Sequence, residues 1–177
     1  MKISAATALC CVAAASVYGM AQALPGQKVS TVVAAIHAKP FTTKKIISEM
    51  SGMPMYNATK PYKGGRIFYH IEDMTDHISF HETVTYDAPG FSFNNKSDPR
   101  VHAVLALVYD GAIADDYVHA KAVAVVPVYQ SKLKTTFFKG ARYAYAGGSD
   151  GITLYALKDL AEQIKEAKQC AKTDCGD

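Results

Sequence analysis

Between residues 66 and 146 the chain reads as short apolar or alternating segments parted by turns of a few residues, and that spacing limits the fold more than any other feature. Antiparallel strands close through tight turns, whereas parallel neighbours need a crossover of a dozen residues or more. A doubly wound parallel sheet is thereby disfavoured. The pattern predicts an α+β fold: a mainly antiparallel β-sheet with one N-terminal helix and a C-terminal amphipathic helix.

Element by element, residues 66–72 and 77–86 alternate like half-buried strands. Residues 101–109 and 118–129 are β-branched or apolar at nearly every position, which suits strands covered on both faces. Residues 133–146, with Lys139-Gly140 in the middle, read as a further hairpin. Thr42 or Thr43 can cap a helix through Met50, with Ile46, Ile47 and Met50 on one side and Gly52 and Pro54 stopping it. Residues 28–38 are ambiguous between helix and strand, and residues 88–100, with two prolines, read as an exposed loop. Gly147-Gly148-Ser149-Asp150 is expected to break the sheet and cap a last helix, whose buried stripe is Leu157, Leu160, Ala161, Ile164 and Ala167.

The first 23 residues carry a different message. Lys2, an apolar run from Ile3 to Met20 and the small-residue pattern Ala21-Gln22-Ala23 read as a cleavable secretory signal. Ser4, Thr7 and Ser16 interrupt a run barely long enough to span a bilayer, so no membrane association is expected after cleavage. Residues 24–177 then form one domain, read as a secreted monomer. Of 19 basic and 16 acidic residues only Lys2 leaves with the leader, so 18 oppose 16 and the net charge is +2. That balance argues against non-specific polyanion binding over the whole surface.

Cys10 and Cys11 depart with the leader, and the remaining Cys170 and Cys175 predict one local disulfide in an oxidising compartment. Two cysteines with no histidine nearby are too few ligands for zinc, and no cofactor motif is present, so neither metal nor cofactor is expected. Two glycosylation triplets, at Asn57 and Asn95, fit the same secretory route.

The sharpest local inference places a turn at residues 73–76, so that Glu72 faces His77, His70 faces Ser79 and Phe68 faces His81. Ile67, Tyr69, Ile71, Ile78, Phe80 and Val84 then share one face, spoiled by Glu82. Arg66, Phe68, His70, Glu72, His77, Ser79, His81 and Thr83 share the other. A histidine or carboxylate base, a histidine acid and an arginine for phosphate charge are what phosphodiester cleavage by internal transfer requires. His70, His81, Glu72 and Arg66 are therefore the candidate catalytic set, with Phe68 and His77 beside them. The same distribution also describes the wet face of an ordinary antiparallel hairpin. His77 and His81, four residues apart on a strand, would lie about 13 Å apart, too far to share one metal ion.

Other residues offer binding rather than chemistry. Lys132, Lys134, Lys139 and Arg142 are interleaved with Phe137, Phe138 and Tyr143, a mixture usable for single-stranded nucleic acid. Edge-strand lysines that block aggregation explain them as well, and that reading is preferred. Phe91 and Phe93 in the 88–100 loop are candidate apolar anchors for a protein partner. His102 reads as a core or edge histidine, and His119 with Lys121 could extend the polar patch.

A helix near residues 42–50, a loop with Tyr56, Tyr62 and Gly64-Gly65, then consecutive strands ending at residues 141–146 and a glycine-serine turn give an order of elements that resembles small secreted fungal proteins of the ribonuclease-like effector class. These are similar in fold to guanyl-specific secreted ribonucleases, and many have lost catalysis and act inside plant cells as virulence factors. The resemblance implies a secreted effector that binds a host protein or RNA, with translocation into host cells. This chain has no acidic residue at 101–105, where the ribonucleases would carry their base, so the binding module is expected ahead of the alternative, a ribonuclease or phosphodiesterase.

Overall fold

A computed structural model describes residues 24–47, 54–72, 82–148 and 151–172. The order is α1 (Val29–His37), β1 (Thr42–Ile47), β2 (Pro54–Tyr62), β3 (Gly65–Glu72), β4 (Glu82–Asp87), α2 (Pro99–Val108), α3 (Gly111–His119), β5 (Lys121–Pro127), β6 (Lys134–Lys139), β7 (Tyr143–Gly147), β8 (Gly151–Ala156), a short 3₁₀ turn and α4 (Leu160–Cys170). Every strand pairing is antiparallel, in one sheet ordered β1-β2-β3-β4-β8-β7-β6-β5. Read from either edge, the sheet is a four-strand meander, and the two meanders meet where β4 pairs with β8. The α+β class with a mainly antiparallel sheet is therefore the observed one.

Several elements differ from the sequence expectation, each for a local reason. The N-terminal helix is α1, ended before Pro40, whereas residues 42–47 form edge strand β1; its Thr-Thr-Lys-Lys-Ile-Ile composition suits a strand better than a helix. Residues 101–108 are helical rather than a strand. Asp98 caps that helix by accepting from the Arg100 N–H at 2.8 Å, Pro99 opens it, and Val101, Val104, Leu105 and Val108 fall at helical spacing on its buried side. Asp110 likewise accepts from the Ile113 N–H at 2.8 Å and starts α3, so the strand expected from residue 118 begins only at Lys121. Gly147 and Gly148 do not cap a helix but lead from β7 to β8, and the last helix begins at Leu160.

Strand β2 fell in a segment read as loop. It reaches β3 through Lys63 and Gly64, both with positive φ (38° and 80°), the twist a two-residue hairpin turn needs.

Two cores form, one on each face. Helices α1, α2 and α3 bury Val32, Ile36, Val104, Leu105, Val108, Ile113 and Tyr117 against Ile67, Tyr69, Ile71, Val84, Tyr86, Ile152 and Leu154. On the second face α4 packs Leu160 and Ile164 over Val126, Phe137, Ala144 and Ala146. That helix covers only the β5–β8 half. Among the described residues no helix lies over the second face of β1–β4. No helix among the described residues is long and apolar enough to cross a membrane.

Candidate binding face

Strand registers build this uncovered half into a grid. One row, perpendicular to the strands, runs Lys44, Asn57, His70, Thr83 and Thr153 across five strands. Continued into β7, β6 and β5, the same row becomes Ala146, Phe137 and Ala124, the apolar ground under α4. The neighbouring row holds Thr42, Thr59, Phe68 and Thr85. Composition thus decides which half is roofed: small and apolar side chains take a helix, and hydroxyls, amide and imidazole stay toward solvent.

Within the grid, His70 and Asn57 are bonded, Nδ1 to Oδ1 at 2.7 Å. With the amide oxygen toward the ring, Nδ1 is the donor, and this fixes the imidazole's tautomer and tilt. The Phe68 ring stands parallel to it, 4° between planes and 6.5 Å between centroids. Thr83 and Thr153 share a hydrogen bond of 3.0 Å across the seam between the meanders. Arg66 is exposed at the end of β3, paired across the ladder with Asp87. Asn57, Thr59, Phe68, His70, Thr83 and Thr85 are all half-buried, ordered by their neighbours yet reachable.

The expected register of this hairpin is corrected by four residues. His70 faces Thr83 rather than Ser79, and Phe68 faces Thr85 rather than His81. An even shift preserves the alternation of faces, so Arg66, Phe68, His70 and Thr83 still share one surface and Ile67, Tyr69, Ile71 and Val84 the other. His77, His81 and the side chain of Glu72 lie outside the described residues. Arg66 and His70 do share the face, but four residues of strand put their backbones about 13 Å apart.

Glu82 sits on the opposite, fully buried face, where Tyr69 donates a hydrogen bond to its carboxylate and the Tyr109 ring meets Tyr69 edge-on. Burial, and then the charge of Glu82, hold both phenols well above their ordinary pKa. This is core architecture, closed to any substrate.

The remaining candidates scatter. Phe93 is fully buried and is not presented to a partner, while the half-buried Phe91 packs against it and Tyr86 with centroids under 5 Å apart and ties the loop to the core. Phe137 and Phe138 are buried on opposite faces of the sheet, which removes the stacking surface expected between the lysines. Lys134 and Lys139 stand at opposite ends of β6, about 17 Å apart along the strand, and Arg142 lies in the β6–β7 turn. His102 lies on α2, 3.0 Å from the Asp115 carboxylate, rather than in a strand.

Asn95 is exposed before α2, its amide oxygen accepting from Ser97 Oγ at 2.9 Å, as an accessible acceptor requires. Asn57 is instead mid-strand and engaged with His70. Cys170 closes α4, and Cys175 lies outside the described residues. Among the described residues no group of His, Cys, Asp or Glu is placed to hold a metal ion. Lys44, Thr59 and Thr153 were missed as site residues, and Asn57 was read only as a glycosylation acceptor, because β1, β2 and β8 were not recognised as strands; the Lys63-Gly64 turn was the available signal for β2.

Comparison with protein-family models, with curated proteins and with solved structures finds no match.

Proposed function

We propose that this is an exported, effector-type protein that acts by binding rather than turnover, and that the uncovered half of its sheet is the contact face, suited to single-stranded RNA. The carrying observation is the division of the second face: the same row that is apolar and roofed by α4 on one side is Lys44, Asn57, His70, Thr83 and Thr153 on the other. Parallel Phe68 and His70 rings on an open sheet offer planar faces to unstacked bases, while hydroxyls and the Asn57 amide offer hydrogen bonds to sugar and base edges. Lys44 and Arg66 at the margins supply charge for the backbone.

Export rests on the sequence alone: the leader at residues 1–23, the Asn57 and Asn95 triplets and the Cys170–Cys175 pair. Entry into host cells follows the resemblance to effectors and belongs to the same proposal. Turnover would need two groups converging on one phosphate, and Arg66 stands four residues of strand from His70, about 13 Å along it.

The test is fluorescence anisotropy of a short labelled RNA with the purified, unglycosylated protein, beside His70→Ala and Phe68→Ala. Stacking on one aromatic contributes about 1–3 kcal/mol, so each variant should bind about 5- to 150-fold more weakly. RNA recovered intact supports binding without turnover; cleavage lost in His70→Ala would install the ribonuclease reading instead. Equal binding by wild type and both variants would overturn the assignment of the face.

A further inference from the structure

At the far end of the sheet, away from the polar grid, the start of β5, the end of β6 and the C-terminal end of α3 enclose an open cleft of about 370 Å³ lined by Asp116, His119, Lys121, Val123, Lys139 and Ala141. Lys121 and Lys139 are direct cross-strand partners. Like charges placed opposite each other on neighbouring strands repel, and natural sheets avoid the pairing unless something offsets it. Among the described residues neither lysine has an acidic partner within ion-pair distance.

Asp116, the carboxylate that lines the cleft, is already engaged. It accepts the backbone N–H groups of Ala141, Arg142 and Tyr143 and the hydroxyl of Tyr145. Four donors satisfy its oxygens and hold it against the β6–β7 turn rather than toward the lysines. His119 is oriented as well: its Nδ1 donates to the Asp115 carbonyl at 2.8 Å, so the ring's other nitrogen is the one left to face outward. Val123, 48% exposed, adds an apolar wall beside the two ammonium groups.

We propose that this cleft binds a tetrahedral oxyanion, a phosphate or sulfate group carried free or on a small organic ester, clamped between Lys121 and Lys139 with His119 at its rim and any organic substituent lying on Val123. The anion converts a repulsive cross-strand pair into a bridged one. Two lysines make point-charge contacts without the planar selectivity of arginine, which fits a compact oxyanion better than a carboxylate. The proposal is independent of the RNA-binding face, which shares none of these residues.

The experiment is an NMR titration of the purified protein at low ionic strength with inorganic phosphate, inorganic sulfate and phenyl phosphate, repeated with Lys121→Gln and Lys139→Gln. Saturable shifts confined to amides at positions 119–123 and 139–142 are expected, with affinity about tenfold weaker in either variant. Tighter binding of phenyl phosphate identifies an ester as the source of the group, whereas equal binding identifies the free anion. Thermal unfolding gives a separate readout that does not depend on detecting shifts. Without added anion each variant should melt no lower than wild type, because the repulsion is gone, and added phosphate should raise the wild-type midpoint more than that of either variant. Shifts that never saturate, or that spread over lysines throughout the surface, or that survive both substitutions, would overturn the site.

Discussion

Replacing Asp116 by Ala should be among the most damaging single changes outside the cores, and the structure sets the size of the effect. The carboxylate takes the Ala141 N–H at 2.7 Å, the Arg142 and Tyr143 N–H groups at 3.2 Å and the Tyr145 hydroxyl at 2.7 Å, tying α3 to the β6–β7 turn. Water can replace the carboxylate at Ala141 and Arg142, which are exposed, so those bonds cost only the ordinary net value of a hydrogen bond, together about 1–3 kcal/mol. Tyr145 is 1% exposed, and its orphaned hydroxyl adds about 1–3 kcal/mol of unmet desolvation. A loss of about 3–5 kcal/mol follows. With a urea m-value of about 2 kcal/mol/M the unfolding midpoint should fall by about 2 M. Asp116→Asn, which keeps an acceptor oxygen and loses the charge, should fall about half as far. Gly140→Ala should approach the Asp116→Ala loss, because a Cβ there would stand 2.2 Å from Asp116 Oδ2. A midpoint shift below about 0.5 M for Asp116→Ala in urea unfolding followed by circular dichroism would refute the latch.

Three further outcomes follow from the same geometry. Phe93→Ala, at a fully buried site where Tyr117 also donates to the Phe93 carbonyl at 3.0 Å, should cost about 3–5 kcal/mol in urea unfolding; a loss under about 1 kcal/mol would return Phe93 to the surface. Burial beneath the Tyr117 and Phe138 rings lowers Lys96 to about 8 from 10.5, so between those pH values the unfolded chain binds more protons and stability should rise with pH; below about 8 the penalty is fully present, and Lys96→Met should flatten the rise in denaturation series from pH 7 to 10. Lys39 caps the C-terminal end of α2 by donating to the Val108 and Tyr109 carbonyls, and Lys39→Ala should cost about 1–2 kcal/mol and speed amide exchange at residues 105–109 while leaving α4 unchanged.

How much of this could be read from sequence depended on which signals were local. Alternation along residues 66–72 and 82–86 sorts side chains by parity, so the faces of β3 and β4 were legible even though the register was off by four residues. The stripe of α4 was legible at Leu160, Ile164 and Ala167, whereas Ala161 is exposed and Leu157 lies in the 3₁₀ turn before the helix. Helix α2 was hidden because a run such as Val101-His102-Ala103-Val104-Leu105 satisfies strand composition and helical spacing together, and the deciding evidence lay in the Asp98-Pro99 cap just before it. The polar row was invisible for another reason: Lys44, Asn57, His70, Thr83 and Thr153 are brought side by side only by pairings across up to 70 residues of sequence. Burial of Phe93, Phe137 and Phe138 is likewise a tertiary outcome that turn-rich or lysine-rich surroundings conceal.

Whether the uncovered half of the sheet is where this protein meets its ligand is decided by amide chemical-shift mapping during titration with a short single-stranded RNA. Saturable shifts clustered at Lys44, Asn57, Phe68, His70 and Thr83 are expected, with α4 and the Lys121–Lys139 cleft unmoved by the bases. Saturable shifts confined to α4 or the cleft, or none at RNA concentrations where the protein stays folded, would contradict it.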